Sequence, residues 1–173
     1  MRQADVEKLT RRIAMLRAAT VLAGLGLVGC ATDPPAGRPS TPVPGQPVPT
    51  SAVHRLTAIV DRAVRVNDGH GVRWASAVVT TRARALTSAT PGDLVPNDEK
   101  TIVYLVTVKG HFVARAASVP PGAHAPTGTY MSIVINAKTF TGLDFGLGTK
   151  PPPVAPASFG PVTYLKVHAP ARD

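Results

Sequence analysis

Seven prolines crowd the stretch from Pro34 to Pro49, and this tract decides where the chain can fold. Proline fixes φ and removes the amide donor, so such a segment neither runs as a helix nor sits inside a sheet. It divides the 173 residues into a short front end, 1–29, a tract, 30–50, and a remainder, 51–173, of the size of one ordinary domain. The tract from Ala31 to Pro49 has one acid, one base and no aromatic residue, and is expected to be extended and solvated. At ~3.1 Å per residue it would span up to ~60 Å. Composition sets the outer limits: 44% hydrophobic and 17% charged residues with mean hydropathy +0.10 exclude both a disordered polyelectrolyte and a polytopic membrane protein.

The front end has its own pattern. Arg2, Lys8, Arg11, Arg12 and Arg17 precede twelve uncharged residues, Ala18 to Gly29, which rise only ~18 Å as a helix and fall short of the ~30 Å hydrocarbon core. A basic segment followed by a short apolar one reads as a cleavable export signal. The sole cysteine, Cys30, stands at its end, so no intramolecular disulfide is possible. Leu27-Val28-Gly29-Cys30 resembles the lipobox of bacterial lipoproteins. That resemblance implies cleavage between Gly29 and Cys30, a diacylglycerol and acyl (palmitate-type) lipid on Cys30 as the only attached group, and a lipid-anchored position on the extracytoplasmic face of the cell membrane. Thr10-Arg11-Arg12-Ile13-Ala14-Met15 is similar to a twin-arginine export signal; general secretion is the reading preferred, with Met15 an alternative start. The proline tract then reads as a spacer rather than as a ligand such as Pro39-Ser-Thr-Pro42.

Beyond Thr50 the periodicity changes. Val53, Leu56, Val60, Ala63 and Val64 predict an amphipathic helix from about Ala52 to Val66, capped by Thr50 or Ser51, braced by Asp61 and Arg65, and stopped at Asn67-Asp68-Gly69. A strand is expected from Gly71 to Leu86, with Trp74, Ser76, Val78 and Thr80 on one face and Ala75, Ala77, Val79 and Thr81 on the other. Ala89 to Lys100 reads as a loop. Thr101 to Val108, apolar on both faces, reads as a central strand, broken at Lys109-Gly110-His111 by a bulge or a hairpin. Tyr130 to Asn136 and Gly142 to Leu147 should pair across a turn at 137–141, and Phe159 to Val167 reads as an edge strand or docked segment. The expected fold is α+β, one N-terminal helix on a four- to five-stranded antiparallel sheet. The hairpin from Val134-Ile-Asn136-Ala137-Lys-Thr139 to Gly142 resembles that of the PepSY and cystatin-like exported domains, with Asn136 where that pattern has Asp and the Gly delayed. It implies a modulator of an exported peptidase or sensor. As residues, Asn136 and Thr139 read as turn formers.

No sequence pattern assigns catalytic chemistry. His54, His70, His111, His124 and His168 show no metal-ligand spacing, no GxSxG elbow is present, and Gly146-Leu-Gly148-Thr-Lys150 lacks phosphate-loop spacing and reads as a loop. Asp68 with His70 is expected to be a polar turn rather than a catalytic pair. From Cys30 onward fourteen Lys and Arg face eight Asp and Glu, +6, so the exported part is moderately basic. Arg55, Arg62 and Arg65 on the first helix, with Arg73, Arg82 and Arg84 nearby, are the possible anionic-surface site. Nucleic acid is not expected, because export removes the target and only eight residues are aromatic, none interleaved with basic ones in the sequence. The expectation is a non-enzymatic binding or interaction domain at the cell envelope, without metal, whose partner is a wall polymer or an exported protein. A small envelope hydrolase is the remaining alternative.

Overall fold

Spacings of four put Ala52, Leu56, Val60 and Val64 on one stripe, and these are the buried residues of helix α1, Thr50–Val66. The computed structural model describes residues 41–90 and 99–168; the signal segment, Cys30 and the start of the proline tract lie outside the described residues. The helix begins before the expected cap: Pro49 takes the N-cap position, and neither Thr50 nor Ser51 caps the first turn. Asp61 does not brace Arg65 either. Its carboxylate accepts the backbone N–H of His168 at 2.8 Å and lies 3.6 Å from His168 Nδ1, tying the far end of the chain to the helix. The predicted stop is made as expected. Asn67 donates from its amide N–H and from Nδ2 to the Ala63 carbonyl, Asp68 turns at φ 48°, and Gly69 donates to Val64 O at 2.7 Å. A Cβ on Gly69 would sit 2.7 Å from Val64 Cγ1, so only glycine fits.

Five strands follow, β1 His70–Thr81, β2 Ile102–Val113, β3 Thr127–Asn136, β4 Gly142–Gly148 and β5 Thr163–Leu165, in the order β4-β3-β2-β1-β5, every pair antiparallel. The fold is α+β, as the sequence predicts. Two expectations change. The strand expected to reach Leu86 ends at Thr81, and Arg82–Ala89 forms a second helix, α2; Arg82-Ala-Arg-Ala-Leu86 are strong helix formers. Gly148, expected in a loop, closes β4, one residue beyond the Gly142–Leu147 strand that the sequence predicts. The interruption at Lys109–His111 is a bulge, not a hairpin: β2 continues to Val113 while its register against β3 shifts between Lys109 and Phe112.

The pleat sorts the sheet into two apolar faces. Ala75, Ala77, Val79, Tyr104, Val106, Val108, Met131, Ile133, Ile135 and Leu165 pack with α1. Val78, Val103, Leu105 and Val134 pack with Ala85 and Leu86 of α2 and with Phe159 of a 3-10 turn, Pro156–Phe159. The end of the proline tract stays mostly exposed but is tied to the domain at two points. Val48 joins the α1 core at 6% exposure, Gly45 donates its N–H to Val79 O at 3.1 Å, and a Cβ on Gly160 would lie 2.8 Å from Gly45 Cα. The β3–β4 turn spends its polar groups locally: Asn136 Oδ1 accepts from the N–H groups of Lys138 and Thr139, and Thr139 Oγ1 lies 2.6 Å from Thr141 Oγ1. Asn136 and Thr139 are turn formers.

Gly146 sets how closely α2 approaches the sheet, since a Cβ there would stand 2.5 Å from Ala89 O, whereas one on Gly142 meets nothing within 4 Å. Urea unfolding should show Gly146→Ala less stable by ~1–3 kcal/mol and Gly142→Ala within ~0.5 kcal/mol of the parent. Burial pushes the Tyr104 phenol above its ordinary value of 10.0. Below pH ~10 both folded and unfolded chains keep the phenol neutral; above it the unfolded chain ionises first, so stability falls as pH rises. Tyr104→Phe should flatten that alkaline decline, as measured by denaturation at stepped pH.

Candidate functional site

The arginines singled out from the sequence do not form one face. Arg55, Arg62 and Arg65 are exposed on the outward side of α1, opposite its buried stripe, with the Arg55 guanidinium 4.3 Å above the Phe140 ring. Arg82 and Arg84 belong to α2, whose buried residues pack on the other side of the sheet, so the sheet separates the two groups. Arg82 is occupied as well: its Nε and a terminal nitrogen each donate at 3.0 Å to Asp144, a two-pronged pair with side chains only 18% and 20% exposed. Arg84 donates to Ser158 O and lies 5.2 Å over the Phe159 ring. What remains of the expected anionic surface is the α1 trio, with Arg73 exposed near the start of β1. Gly29 and Cys30 lie outside the described residues.

The Asp68–His70 pair is a turn, not an acid–base dyad. His70 Nδ1 is 3.2 Å from the backbone oxygen of Asp68, while the Asp68 carboxylate accepts from Arg115 at 3.0 and 3.2 Å. The His70 ring instead stacks on His111, centroids 5.3 Å apart, beside a cavity of about 270 Å³ that Thr127, Thr129 and Thr149 also line. Among the described residues no three His, Cys, Asp or Glu side chains converge as a metal site would require, and no helix is long and apolar enough to cross a membrane.

The arrangement that sequence reasoning missed is assembled across strands. Trp74 of β1 stands opposite Lys109 of β2, and Lys109 opposite Tyr130 of β3, so the three form one row on the face that carries α2. All three are partly exposed. Although a strand separates them, the Trp74 and Tyr130 rings lean together to 6.4 Å, edge toward face, and Lys109 Nζ lies 5.4 Å from the Tyr130 ring. Basic and aromatic residues, apart in the sequence, are thus interleaved in space. The neighbouring row is hydroxyl-bearing: Tyr164, 72% exposed, then Ser76, Thr107 and Ser132, with Gly146 at its end. Ser76 Oγ and Thr107 Oγ1 are buried without a hydrogen-bond partner. Ser132 and Tyr130 open into a cavity of about 150 Å³ closed by Lys150 and prolines 151–153. No sequence pattern marks the row, because its members meet only through strand register.

Compared with known proteins, the chain matches no family model, no curated protein sequence and no solved structure. The row and its hydroxyl neighbours therefore have to be read from their own chemistry. If the Thr107 hydroxyl is unsatisfied in the folded chain, Thr107→Val removes a desolvation penalty and should leave stability unchanged or raise it by up to ~1 kcal/mol. Equilibrium denaturation decides this; a loss larger than ~1 kcal/mol would mean that the hydroxyl holds a partner, such as a water.

Proposed function

We propose that this chain is an exported bacterial lipoprotein, held at the extracytoplasmic face of the cell membrane by acyl lipid on Cys30, whose domain is a non-catalytic binding module of the cell envelope. The anchor is supported by Leu27-Val28-Gly29-Cys30 behind a basic and then a short apolar segment. The binding role rests on one observation: the sheet face that α1 leaves free carries the row Trp74, Lys109 and Tyr130 where solvent reaches it. Partly seated aromatic rings offer large contact area at little conformational cost, which is what a recognition surface needs. A peptidase-modulator reading draws on the hairpin at Asn136, but its polar groups close their own turn. A hydrolase reading draws on scattered polar residues; the carboxylates of Asp68 and Asp144 are each held by an arginine.

Two measurements test the proposal. The N-terminal peptide of the protein taken from its host's membranes should begin at an acylated Cys30, and Cys30→Ser should release the chain from the detergent-soluble membrane fraction. A free thiol preceded by residues 1–29 overturns the anchor. Membrane-free envelope fragments should retain the full-length chain carrying Cys30→Ser, and adding Trp74→Ala with Tyr130→Leu should abolish that retention; unchanged retention overturns the assignment of the surface.

A further inference from the structure

We infer that the row Trp74, Lys109 and Tyr130, with the adjoining cavity at Ser132 and Lys150, binds an anionic wall polysaccharide, a glycan chain bearing carboxylate groups. The inference rests on the binding-module reading above and names its ligand class. Three observations lead to it. First, aromatic residues are scarce, eight in 173, yet three of the four Trp and Tyr side chains fall on this face; only Tyr104 is in the core. Rings that would have filled a core are placed where solvent meets them, and their apolar faces match the C–H faces of pyranose rings.

Second, the charge is one-signed. Lys109 and Lys150 stand on or beside this surface, and Asp144, the carboxylate that shares the face, is neutralised by Arg82. Among the described residues an anionic chain therefore meets no free carboxylate beside the row, and Lys109, held over Tyr130, places a cation directly beside a stacking ring. Third, the row does not stand alone. Ser132 and Tyr130 open into the cavity beside Lys150, and Tyr164, 72% exposed in the neighbouring row, extends the aromatic surface, with the hydroxyls of Ser76 and Thr107 buried between them. From β1 to β4 the row and cavity extend over three strand spacings, ~14 Å, so the surface is a track for a few sugar rings rather than a pocket for one. A protein partner would call for a broader apolar centre, and a nucleic acid is not met by a domain outside the membrane, as the proposal above has it.

Trp74 is the only tryptophan and stands in the proposed site, so it reports binding directly. The full-length chain carrying Cys30→Ser, titrated with a galacturonate oligosaccharide at low salt, should show a saturable change in Trp74 emission, absent with a neutral maltose-series oligomer. Tyr130→Leu should weaken binding about tenfold. Lys109→Gln should weaken it and flatten its salt dependence, while Lys109→Arg keeps both, with far-UV circular dichroism confirming the fold of each variant. The inference is overturned if Trp74 does not respond, if the variants bind like the parent, or if polyglutamate or oligothymidylate of matched charge binds as tightly. Retention on envelope fragments that depends on Trp74 and Tyr130, without any response to acidic oligosaccharides, overturns this ligand class and leaves the binding module standing. Loss of both overturns the two together.

Discussion

Strand β2 is hydrogen-bonded along both edges, and its residues Val103 to Val108 are buried on both faces. A strand of this kind cannot exist without cover above and below, because its apolar side chains alternate between two layers. α1 supplies one cover with a stripe that runs its full length, Ala52 to Val64. The other cover is shorter. α2, 8 residues or ~12 Å long, lies across three strands over Val78, Val103, Leu105 and Val134 and leaves the Trp74 end of the sheet uncovered. The open row is thus a geometric consequence of a short second helix on long strands.

What keeps α2 at one end is a pair of contacts at its two termini. Arg82, its first residue, grips Asp144 of β4, and Ala89, its last, lies against Gly146 where no Cβ intervenes. A partly buried, two-pronged ion pair fixes direction more than it stabilises, since removal of either partner would strand a charge. Because both contacts fall on β4, the helix crosses the sheet rather than following β1. The cavity at Ser132 and Lys150 lies just past its C-terminal end, at the border between covered and open surface.

Where one periodicity governed a segment, the sequence was legible: the four-residue stripe of α1, the alternation from Trp74 to Thr81, the doubly apolar run of β2 and the turn at Asn136. α2 was hidden because Arg82 to Leu86 continues an alternation that a strand also satisfies, and helix propensity was outweighed by pattern. Docking of Val48 was hidden for the opposite reason, since a single apolar residue between prolines carries no period. The expected surface of six arginines failed because sequence proximity says nothing about which side of a sheet a segment crosses to: Arg65 and Arg82 are separated by one strand and end on opposite faces. The row of Trp74, Lys109 and Tyr130 was beyond reach, its members lying 35 and 21 residues apart and meeting only through strand register.

The chain enters the domain at one end of β1. Residues leading into α1 dock by Gly45 on Val79 O, at the end of β1 that α2 and the 3-10 turn also occupy. Trp74 is five residues further back along the same strand, ~17 Å away. Three separate covers, the Gly45 contact, α2 and the turn at Phe159, thus gather at the Val79 end, while Trp74 at the opposite end stays partly exposed.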